Sequence, residues 1–110
     1  KMLLNLKKKG KKIVAYGASA KATTLLQYCN IDYRIIDYIT DSTPSKQGKF
    51  TPGTHIPIVK PETLRSKTPD YIIITAWNYA DNIMEKEKWF KEGGGKFIIP
   101  IPKPRIVELI

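Results

Sequence analysis

A chain of 110 residues has room for one domain and one core, and 42% hydrophobic with 26% charged residues is a globular composition. No apolar run nears the roughly 18 residues that a membrane-spanning helix needs, and the first residues lack a signal-peptide pattern because lysines follow a short apolar stretch. The net charge of +9 is local: Lys1, Lys7, Lys8, Lys9, Lys11 and Lys12 supply six charges with no acid among them, leaving 13 basic against 10 acidic side chains elsewhere. That pattern describes a solvated helix end, so neither nucleic acid nor a membrane is an expected partner. Cys29 is the only cysteine, which excludes an internal disulfide and suits a reducing, cytoplasmic setting. Late in an apolar helix, it is expected to be a small buried hydrophobe.

Met2, Leu3, Leu4 and Leu6 read as the end of an amphipathic helix stopped by Gly10, and the pattern lacks an N-cap. Residues 1–12 are therefore expected to be the end of a preceding helix or linker, with an α/β domain over 13–110. Ile13–Tyr16 is the first strand and Ala20–Cys29 the first helix. Gly17 between them permits a tight turn, and the small Ala18, Ser19 and Ala20 leave the backbone open to close approach. Free N–H groups at the helix start, with Lys21 beside them, suit an anion or phosphate. The run lacks the further glycines of the dinucleotide fingerprint and the Lys-Ser/Thr pair of a P-loop. A small-residue turn that only packs helix on strand remains an equal reading.

Ile35–Thr40 is the second strand, and Asp41 ends it where a ribose-binding carboxylate would lie; an Asx-turn residue opening the loop is the other reading. The 15-residue connection from Asp41 to His55 holds Pro44, Lys46, Gln47, Gly48, Lys49, Pro52 and Gly53. Connections that long are usually functional, and these turn residues predict an ordered one. His55 has no Cys or carboxylate at ligand spacing, so no metal is expected. Ile56–Val59 is a short third strand, kept near an edge by Pro57. Lys60–Leu64 starts a brief helix, and Tyr71–Thr75 follows, the most β-branched run and so a central strand. Asn78 and Asp81 suggest a capping box for a helix reaching about Glu92, stopped by Gly93-Gly94-Gly95. Lys96–Ile99 is the fifth strand, Pro100–Pro104 an extended exit, and Ile106–Ile110 a last edge strand or helix turn.

Alternating strands and helices with right-handed crossovers give a Rossmann-like open parallel sheet of order 3-2-1-4-5, with helices on both faces. The crevice between strands one and four is the default ligand site. Gly17, Ala18, Ser19 and Lys21 fall there with Trp77 and Asn78, and the Asp41–His55 loop can fold over it from the side. Lys21, Lys46 and Lys49 are candidate phosphate contacts, and Trp77 is a flat apolar surface or a core plug.

In order along nearly the whole chain, several runs resemble the C-terminal domain of sugar C-methyltransferases. These are Tyr16–Lys21, Asp41 with Lys46–Lys49, Pro52–Ile58, Pro69–Tyr71, Ala76–Asn78 and Gly94–Pro102. The resemblance implies a three-part parent chain: a zinc-binding region, an S-adenosylmethionine-binding methyltransferase domain, and this module. It also implies methyl transfer to a sugar carbon of a nucleotide-linked deoxysugar. Ala22 departs from the glycine frequent there. The fragment lacks the base and donor site that C-methylation requires: Ser19 has no partner histidine, and Asp37 and Asp41 lie on one strand. No catalytic residue and no cofactor are therefore expected here, and the donor, base and zinc belong upstream. This module would hold the nucleotide-sugar or close over it. Two other readings stand beside it: a nucleotide-sugar-binding module like those of sugar acyltransferases and polysaccharide-synthesis proteins, and a domain that only braces its neighbour.

Overall fold

In a computed structural model that describes residues 2–100 and 105–107, the apolar runs build one sheet. The strands are β1 (Ile13–Tyr16), β2 (Ile39–Thr40), β3 (Ile58–Val59), β4 (Tyr71–Ile74), β5 (Lys96–Ile99) and β6 (Arg105–Val107). Their order is β3-β2-β1-β4-β5-β6; all neighbours are parallel except β5 and β6, which are antiparallel. The expected order 3-2-1-4-5 is therefore present, with a sixth strand added at the edge. The extended exit predicted over Pro100–Pro104 falls mostly outside the described residues.

The alternation of β-strand side chains divides the core into two. Ile13, Ala15, Tyr71, Ile73 and Ile98 pack on one face with α1 (Met2–Lys8) and α2 (Ala20–Tyr28), through Leu6 and Leu26. Val14, Ile72, Ile74, Phe97 and Ile99 pack on the other with α3 (Thr63–Ser66), α4 (Ala80–Lys86) and α5 (Lys88–Glu92), through Leu64, Ala80 and Phe90. β4 is buried along its whole length, as a strand covered on both faces must be.

Five expectations need correction. The second strand is Ile39–Thr40 rather than Ile35–Thr40, because the Asp32 carboxylate accepts the Arg34 N–H and its carbonyl accepts those of Ile35 and Ile36, which closes a turn. The third strand is Ile58–Val59 rather than Ile56–Val59: the Ile56 N–H bonds the Thr51 hydroxyl, and Pro57 has no N–H to give. The single helix expected to reach Glu92 is a 3-10 turn (Trp77–Tyr79) followed by α4 and α5, with a break at Glu87 (φ −106°, ψ 30°). No side-chain cap forms there, so the Asn78–Asp81 capping box is absent. Cys29 is exposed, at the C-terminal cap of α2, rather than buried.

Where α5 passes into β5, a Cβ on Gly95 would stand 2.4–2.5 Å from ring atoms of the buried Phe90. Gly95→Ala should therefore cost about 1–3 kcal/mol through overpacking. Urea unfolding measures this, and a loss under about 0.5 kcal/mol would contradict the packing described.

Candidate functional site

β1 leaves the sheet through Gly17, whose φ of +99° is open to glycine and strained for other residues. The turn is tied on two sides. From the end of β4, the buried Thr75 hydroxyl shares its one proton between the carbonyls of Tyr16 and Gly17 (2.7 Å to the latter). From the end of β2, Asp41 Oδ2 accepts the Ala18 N–H at 3.0 Å, while Asp41 Oδ1 accepts the Thr43 N–H at 2.8 Å. Lys46 completes the link: its Nζ donates to the Ala18 carbonyl at 3.1 Å and lies 3.8 Å from Asp41 Oδ2. Both backbone groups of Ala18 are thus held by one acid–base pair from the next loop. Gln47 Nε2, bonded to the Asp41 carbonyl at 2.8 Å, fixes the start of that loop.

α2 starts directly after the turn. Ser19 caps it by accepting the Ala22 N–H at 3.1 Å. The N–H groups of Ser19, Ala20 and Lys21 have no protein acceptor among the described residues. They point from the positive end of the helix into the space above the sheet. The exposed Lys21 places its ammonium 5.9 Å from the centre of the Trp77 ring, at the outer limit of a cation–π contact. Trp77 is half-buried and packs against the apolar cluster under α4, so it is both surface and core.

The structure therefore brings Gly17, Ala18, Ser19, Lys21, Asp41, Lys46 and Trp77 to the switch point between β1 and β4. Two expected residues stand apart. Asn78 is exposed, with no side-chain hydrogen bond among the described residues. Lys49 lies where the loop runs back along β3: Gly48 donates to the Ile58 carbonyl and Ile58 to the Lys49 carbonyl, and Phe50 bridges Pro57. Beyond Lys46 the loop thus covers the edge of the sheet and not the crevice. His55 sits still farther away. Gly53 in its turn faces Gln27, in the last turn of α2, about 12 Å along the helix from Ser19.

Sequence reasoning missed Thr75 and the pair Tyr16–Glu87. The buried Glu87 carboxylate accepts the Tyr16 hydroxyl and the Trp89 indole N–H, each at 2.7 Å. Burial, then the Glu87 bond, pushes the Tyr16 phenol well above its usual range, so it stays protonated. The only trace in the sequence is an acid among the apolar positions Ile83, Met84 and Phe90. Among the described residues no His, Cys, Asp or Glu side chains cluster so as to hold a metal ion. No helix there is long and apolar enough to cross a membrane.

Residues 1–102 match the family model of the C-methyltransferase C-terminal domain. Over 98 residues the chain is 46% identical to the C-methyltransferase NovU of Streptomyces niveus, a match covering 89% of this chain and 23% of that one. The chain thus spans about a quarter of the length of that curated relative.

Asp41 makes a pH-dependent contribution whose sign follows from its contacts. Burial raises its carboxyl pKa, but the N–H bonds from Thr43 and Ala18, with Lys46 nearby, outweigh that and hold it below the usual carboxylate range. A lowered folded-state pKa stabilises above the unfolded value and is lost as pH falls through the folded one. Asp41→Asn should therefore cost about 1–2 kcal/mol at neutral pH. The gap between variant and parent should narrow as pH falls below the usual carboxylate range. Urea unfolding across that range tests this, and a gap independent of pH would contradict it.

Proposed function

The chain belongs to the family of C-methyltransferase C-terminal domains, and from that premise we propose that it is the nucleotide-sugar-binding domain of an S-adenosylmethionine-dependent sugar C-methyltransferase. The observation that carries this reading is the convergence of Lys21, Lys46, Trp77 and three open N–H groups on the glycine turn. Those N–H groups and the two ammonium groups suit a diphosphate, because charge-assisted hydrogen bonds offset its desolvation. The exposed part of Trp77 offers a flat surface to a sugar ring or base.

The same turn does not fit the methyl donor. A donor bound in the Rossmann manner needs an acid open to ribose hydroxyls, whereas the Asp41 side chain is only 12% exposed and already accepts the N–H groups of Ala18 and Thr43. C-methylation also needs a base beside the acceptor carbon. Ser19 is spent as a helix cap, and His55 stacks on Phe50 near the opposite end of α2. Donor and base are therefore assigned to the part of the protein that precedes this domain. The role left to this chain is to bind and orient the acceptor.

Two variants of the full-length enzyme test the reading. Lys21→Ala should raise KM for the nucleotide-sugar about tenfold, as expected for losing one charge-assisted contact, with little change in melting temperature. Trp77→Ala should raise KM and also lower the melting temperature, because the ring packs as well as contacts ligand. Unchanged KM in both variants would leave a bracing domain.

A further inference from the structure

Near the far end of α2 from the crevice, three aromatic rings form a run that the fold does not use to fill its core. Phe50 and His55 stack with centroids 4.3 Å apart and planes 5° apart, and Tyr33 meets His55 edge-on at 6.2 Å. Phe50 is 51% exposed and Tyr33 56%. The turn beneath them is built at a cost. His55 adopts φ +54° without being glycine, and Gly53 at φ +75° stands where a Cβ would meet the Gln27 side chain at 2.6 Å. The hydroxyls of Thr51 and Thr54, both buried, bond each other, and Thr51 Oγ1 also accepts the Ile56 N–H. Tyr33 is fixed to the same turn by its N–H bond to the Thr54 carbonyl.

Backbone strain and buried hydroxyls thus hold exposed rings in one arrangement, which lowers the entropy lost when they are covered. The segment Phe50–His55 has no Lys, Arg, Asp or Glu, in a chain of net charge +9. Exposed aromatics with few charges have the composition of an interface centre.

We infer that this surface is the interface with the part of the methyltransferase chain that precedes the domain. As a C-terminal domain spanning 23% of its relative, it follows a much longer stretch of chain. That stretch enters through α1, which packs on the same sheet face as Ile31, Ile35 and Ile56, residues that flank the patch in sequence. Leu3 and Leu6 share one apolar cluster with Ile31, Ile35 and Ile56, and Lys7 pairs with Asp37 at 3.4 Å, four residues after Tyr33. The inference is independent of what the crevice binds.

The full-length enzyme carrying Phe50→p-benzoylphenylalanine tests it. On irradiation, cross-links should form within one molecule, to peptides that precede residue 1. In a second full-length variant, Tyr33→Ser with Phe50→Ser, protease release of the intact domain should quicken about tenfold as the domains come apart. Cross-links only between two molecules, or no cross-link with an unchanged release rate, would overturn the inference.

Discussion

The chain must leave β1 at Gly17 in a left-handed conformation, and much of the crevice depends on holding that turn still. Parallel strands end with backbone groups that the next strand does not satisfy. Here Thr75 from β4 takes the carbonyls on one side, and Asp41 with Lys46 from the loop after β2 takes both groups of Ala18 on the other. The carboxyl ends of the three central strands are thereby linked through side chains. The start of α2, and with it Lys21, has a fixed position over the switch point.

That link also sets the electrostatics of the crevice. A carboxylate already occupies the Ala18 N–H, so one donor of the turn is closed to a ligand. The remaining attraction for an anion comes from the next three N–H groups, the α2 dipole, Lys21 and the ammonium of Lys46. Lys46 is shared between Asp41 and the Ala18 carbonyl, so its charge is half-compensated in the free protein. On the function proposed above, such a site would orient a diphosphate through several directed contacts rather than through a large net charge.

What the sequence disclosed and what it hid divide along physical lines. Ile13–Tyr16, Tyr71–Ile74 and Lys96–Ile99 are legible because central parallel strands need continuous apolar runs, and the strand order follows from crossover handedness. The outer strands are not legible at their ends. Asp32 and Thr51 compete there for backbone N–H groups, a contest that hydrophobicity does not register. In the site, Gly17–Lys21 and Asp41 follow from the topology, since they must lie at strand ends. Lys46 and Lys49 look alike in sequence, yet Gly48 at φ +85° turns the chain between them and sends Lys49 along β3. Glu87 was hidden for another reason: a partner 71 residues away, Tyr16, makes its burial tolerable.

The most direct measurement of the central claim is amide hydrogen exchange of the full-length enzyme with and without a nucleoside diphosphate-linked deoxysugar. If the crevice holds that ligand, exchange should slow in residues 17–21, around Lys46 and at 76–79, while the turn at 51–55 stays as it was. Protection confined to the preceding part of the protein, with 17–21 unchanged, would contradict a substrate-binding role for this domain.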